Sequence, residues 1–122
     1  GTISAANAAA RLKTGGADGL VLTSSIVAAN RRTGAIDDRV DVGAIALPTL
    51  FVHNKEDACP LCPFSAVPAM MARFTAAPRK ALIAVSGGSP PQSDPCQPLA
   101  RHGYFGIEDE VVADIVHWIK GA

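Results

Sequence analysis

Apolar positions along the chain fall into three short unbroken runs, separated by stretches with helical spacing. Residues Gly19–Thr23, Pro48–His53 and Lys80–Val85 are compact and rich in β-formers, with no polar alternation. That pattern predicts strands buried on both faces of a parallel sheet, with the proline-led Pro48–His53 run at its centre. Ahead of the first run, alanine-rich Ser4–Lys13 has Ile3, Ala6, Ala10 and Lys13 at helical intervals and a Gly15-Gly16 stop, which predicts an opening helix. Ser65 is expected to cap a helix through Phe74, with Pro68 in its first turn and Val67, Met70, Met71 and Phe74 on its core face. The last helix begins at Glu108, Asp109 and Glu110, which favour a positive N-terminal end. It presents Val111, Val112, Ile115, Val116 and Ile119 as its apolar face and stops near Gly121.

The intervening segments lack periodicity. Residues 25–43 carry mixed charges and Gly34, and read as a surface excursion or cap remnant with a helical turn near Asp38–Gly43. Residues 86–101 open with a Gly-, Ser- and Pro-rich loop, Ser86–Pro98, that excludes regular structure. The order of elements predicts one α/β domain over residues 1–122: a parallel sheet of about three strands with flanking helices.

Composition narrows the partners. The 122 residues are 48% apolar and carry no formal net charge, which argues against disorder and against an electrostatic affinity for nucleic acid or a membrane surface. No apolar run approaches the roughly 20 residues of a spanning helix. The first residue is Gly1, with no basic and apolar leader after it, so a processed, engineered or truncated start is expected.

In a parallel sheet the reactive groups stand beyond the C-terminal ends of the strands. The second strand delivers His53-Asn54-Lys55-Glu56-Asp57 there, and the loop after the third strand delivers Arg101-His102-Gly103. A carboxylate and an imidazole brought to one rim can form the orienting hydrogen bond that fixes a histidine tautomer for general-base work.

These residues resemble a known family. Pro48–Asp57 is similar to the α/β-hydrolase strand and turn that carry the triad acid. His102-Gly103, ahead of an amphipathic terminal helix, is similar to the segment with that family's catalytic histidine. The order acid then histidine agrees with the family's order. The resemblance spans nearly the whole chain and implies the C-terminal half of a serine hydrolase acting on an ester, amide or related carbonyl, with Asp57 and His102 as catalytic residues. It implies no cofactor and no metal. The family's Gly-x-Ser-x-Gly elbow is absent, and Gly1 fits its last glycine, which places the expected serine two positions upstream. The implied partners are a small-molecule substrate and either the N-terminal half or a second copy, and the chain alone is expected to be inactive. Asn54 stands where a glycine is common, a change tolerated because Asn adopts left-handed backbone.

Simpler readings compete at each position. Glu56 is an alternative acid, His53 reads as a structural hydrogen-bonding group, and His117 as a surface residue. Ser24 and Ser25 lack an elbow and suit rim or capping roles, and Ser86 and Ser89 suit loop chemistry. Cys59-Pro60-Leu61-Cys62 and Cys96 leave three outcomes: a disulfide from Cys59 or Cys62 to Cys96, three reduced thiols, or a metal or redox centre. The first favours a secreted or periplasmic setting. Two other functions stand beside the hydrolase reading, a noncatalytic interaction module and a thiol or metal protein using the three cysteines.

Overall fold

The computed structural model describes residues 1–29 and 34–121. The strands β1 (Leu20–Thr23), β2 (Thr49–Asn54) and β3 (Lys80–Val85) form one parallel sheet in the order β1-β2-β3. Leu22 is paired with Phe51, and Phe51 with Leu82. The helices are α1 (Thr2–Leu12), α2 (Ile36–Arg39), α3 (Val67–Ala72) and α4 (Glu108–Gly121). The expected fold class, a three-stranded parallel sheet with flanking helices, is the one observed.

The pleat sorts the strands' side chains between two cores. Leu20, Leu22 and Phe51 point to one face, where Ala6 and Ala9 of α1, Ile36 of α2, and Val67 and Met70 of α3 cover them. Phe51 meets Phe74 edge-on at a centroid separation of 4.9 Å. Truncating either ring to alanine would cost about 3–5 kcal/mol. Leu50, Val52 and Val85 point to the other face, against Val111, with Ile115 and Trp118 of α4 packed alongside. Arg79 stacks on Trp118 at 4.3 Å and ties the end of α4 to the entry of β3.

Several expectations change here. Only β2 is buried along its whole length; β1 and β3 are edge strands in this sheet and are partly exposed, so an unbroken apolar run did not require two covered faces. On α4, Val111 is buried, but Val112, Val116 and Ile119 of the expected core face are exposed, because the helix covers a sheet too narrow to reach them. Residues 25–43 are more than a surface excursion: Ala35, Ile36, Val40 and Val42 enter the core, and Ile26 accepts the Ile36 N–H at 2.8 Å. Asn30, Arg31, Arg32 and Thr33 of that stretch lie outside the described residues. Ser65 is exposed in a short 3-10 turn, Phe64–Ala66, and caps nothing; Ala66 precedes α3. No helix among the described residues is long and apolar enough to cross a membrane.

Candidate active site

Asp57 and His102 both stand at the C-terminal rim of the sheet. Beyond β2 the chain turns at once: the Asp57 N–H bonds the Asn54 carbonyl at 3.1 Å, and the Asn54 side-chain oxygen accepts the Glu56 N–H at 2.9 Å. This Asx-type turn drives the Asp57 side chain inward, where it is fully buried. Its Oδ1 accepts the Cys59 N–H at 2.9 Å, and its Oδ2 lies 2.9 Å from His102 Nδ1. The expected approach of Asp57 to His102 is therefore present. A carboxylate only accepts, so Nδ1 carries a hydrogen, and in the neutral ring Nε2 is the acceptor nitrogen.

His102 comes from a 3-10 turn, Arg101–Gly103, held from below. Tyr104 closes the turn in the left-handed region, at φ 60°. Its hydroxyl donates to the Val52 carbonyl at 2.8 Å. The Ser24 hydroxyl, at the end of β1, lies 2.7 Å from the His102 carbonyl and 2.9 Å from the Tyr104 hydroxyl. Gly103 is required: a Cβ there would run into the Pro98 carbonyl. The loop between β3 and this turn is pinned to the β2 rim. Asn54 Nδ2 donates to the Gly87 carbonyl at 3.2 Å, Glu56 Oε1 accepts the Gly87 N–H at 2.6 Å, and Cys96 is disulfide-bonded to Cys59.

These contacts separate the competitors. Glu56 holds the loop and leaves the imidazole to Asp57. His53, almost wholly buried, donates from Nε2 to the Cys62 carbonyl at 2.7 Å, with Asp57 Oδ2 farther off at 3.5 Å. This is the structural role expected for it. His117 is exposed on α4. Ser24 serves the rim, and Ser25 is buried beside it. Asn54 does not use left-handed backbone, since Lys13, Ser24 and Tyr104 are the described non-glycine residues with positive φ; its side chain clamps the loop instead.

Tyr104 was not singled out in the sequence. Its signal was being the only tyrosine, two residues after His102, since a buried phenol must find a partner. Burial pushes it up to about 12, and it stays protonated as a donor. Burial, with the Asp57 charge adding to it, likewise pushes the Cys62 thiol up to about 12, which leaves it a weak nucleophile.

His102 borders a cleft of about 370 Å³ whose other walls include Thr23, Ser24, Cys62, Cys96 and the start of α1 from Gly1 to Ile3. A helix N-terminus and the His102 ring thus share one opening, the arrangement that acyl transfer uses for an oxyanion and a general base. Comparison with protein families, curated proteins and solved structures finds no match to this chain.

Proposed function

We propose that this chain supplies the acid and the histidine of a serine hydrolase that acts on an ester, amide or related carbonyl. The observation that carries the reading is the Asp57–His102 hydrogen bond, made by a fully buried carboxylate to a ring bordering the cleft where α1 begins. In the proposed reaction a serine carried just ahead of Gly1 attacks the carbonyl carbon. His102 Nε2 takes the serine proton and returns it to the leaving group, and Asp57 holds the tautomer and stabilises the imidazolium. Backbone N–H groups at the start of α1 face the developing oxyanion. The Cys59–Cys96 disulfide suits a secreted or periplasmic setting.

The same reading gives the chain a partner. Among the described residues no strand pairs with the outer edge of β1, and Val112, Val116 and Ile119 are exposed on α4. A groove of about 300 Å³ between Leu20 and Val21 on one side and Trp118 and Ile119 on the other joins the two. We assign this surface to the segment ahead of Gly1 that bears the serine, which would add its strand to β1.

The test is hydrolysis of a small p-nitrophenyl ester by the protein that includes the segment ahead of Gly1. His102→Asn is expected to lower kcat/KM by a factor on the order of 10⁴. Undiminished turnover in that variant would overturn the reading.

A further inference from the structure

Sγ of Cys59, Sγ of Cys62 and a ring nitrogen of His102 all lie within 4.8 Å of one another, on the wall of the cleft. They are the one set of three metal-capable side chains so placed among the described residues. From this juxtaposition we propose that reduction of the Cys59–Cys96 disulfide converts the turn into a Zn²⁺ site ligated by Cys59, Cys62 and His102.

The ligand set has the chemistry of such a site. Cys59-Pro60-Leu61-Cys62 has the two-residue spacing of zinc knuckles, and its turn is closed by the Cys62 N–H to the Cys59 carbonyl at 2.9 Å. Tetrahedral zinc with thiolate and imidazole ligands sets ligand atoms about 3.5–3.8 Å apart, so the three ligand atoms must draw together by roughly 1 Å, with the His102 ring turned to offer Nε2. Asp57 already holds His102 Nδ1 at 2.9 Å, the outer-shell carboxylate that orients a metal-bound imidazole and leaves Nε2 for the ion. Two thiolates neutralise the ion's charge, which suits sulfurs as buried as those of Cys59 and Cys62. The fourth position opens to the cleft and takes water.

The disulfide is what keeps this site closed, because Cys59 bound to Cys96 has no thiolate to offer. A dithiol reductant transfers two electrons and two protons to the Cys59–Cys96 bond, giving two thiols and the reductant's own disulfide. Zn²⁺ then replaces the protons of Cys59 and Cys62, which pass to solvent, and His102 binds as the neutral ring. The occupied Nε2 is the nitrogen the proposed hydrolase needs, so metal would silence it. That consequence rests on the hydrolase reading; the site itself does not.

Cobalt(II) is the probe, because thiolate ligation gives it charge-transfer and d–d absorption. Under anaerobic conditions, one equivalent is expected to bind the chain after treatment with a phosphine reductant and not before. Cys96→Ser frees Cys59 and is expected to give the same spectrum without reductant. Cys62→Ser and His102→Asn are expected to weaken binding at least tenfold. Zn²⁺ is expected to raise the thermal midpoint of Cys96→Ser or, if that variant is unfolded, to fold it as followed by circular dichroism. Absence of thiolate–cobalt bands in Cys96→Ser, folded or not, would overturn the proposal, as would unaltered affinity in both ligand variants. Neither readout involves catalysis, so failure here leaves the hydrolase reading intact.

Discussion

The Ser24 hydroxyl stands 2.7 Å from the backbone carbonyl of His102, across 78 residues of sequence. With Tyr104 it ties the His102 turn to the ends of β1 and β2. Removing either hydroxyl takes away a contact that holds the turn. Ser24→Ala and Tyr104→Phe are each expected to cost about 1 kcal/mol of stability. In the active protein they are expected to lower kcat with little change in KM, and a double-mutant cycle should show coupling between them. Additive effects confined to KM would rule out the positioning role.

The disulfide joins residues 37 apart in sequence. In the chain-entropy model a loop of that size contributes about 4 kcal/mol. Cys96→Ser is therefore expected to lower the denaturant midpoint and to steepen the slope as the unfolded chain expands, and mass analysis of unreduced protein should find one alkylated thiol, Cys62. Three alkylated cysteines before reduction would contradict the pairing.

Alkaline pH should weaken the fold. Burial raises Cys62 from 9.0 to about 12 and Tyr104 from 10.0 to about 12. The unfolded chain loses both protons first, so the native state holds more protons in that interval. The stabilisation is complete below the unfolded values and is lost as pH rises through about 12. Denaturant midpoints measured promptly after a pH jump should fall over this range, and Cys62→Ala with Tyr104→Phe should flatten the decline. A midpoint that rises with pH would contradict it.

The outer edge of β1, unpaired among the described residues, and the exposed Val112, Val116 and Ile119 of α4 bear on association. At micromolar concentration the chain alone is expected to self-associate by light scattering. Val116→Glu with Ile119→Lys should shift it toward monomer, as should restoring the segment ahead of Gly1. A wild-type monomer with sharp cooperative unfolding would refute the open-surface assignment.

How much of this was legible in the sequence follows from where each signal is local. β2 and α4 were readable because a β-branched run and an acidic helix start are local features, and Asp57 and His102 because strand ends and a His-Gly turn mark the rim. The exposure of Val112, Val116 and Ile119 was not readable, since periodicity gives a helix an apolar face without telling how wide a sheet lies beneath it. The burial of Ile36 and Val40 was hidden by the charges around them. Glu56 and Asp57 were adjacent and chemically alike; the Asx-type turn at Asn54, which sends one inward and the other to Gly87, separates them in three dimensions. Cys59 and Cys62 were equally ambiguous until the Asp57 carboxylate fixed the Cys59 amide and the His53 ring the Cys62 carbonyl.

The most direct measurement is fluorophosphonate labelling of the protein with the segment ahead of Gly1, mapped by peptide mass spectrometry in the wild type and in His102→Asn. The expected result is a single adduct on a serine two positions ahead of Gly1, abolished by the substitution. No adduct, an adduct on Ser24 or another residue of this chain, or labelling that persists without His102 would contradict the triad role proposed for Asp57 and His102.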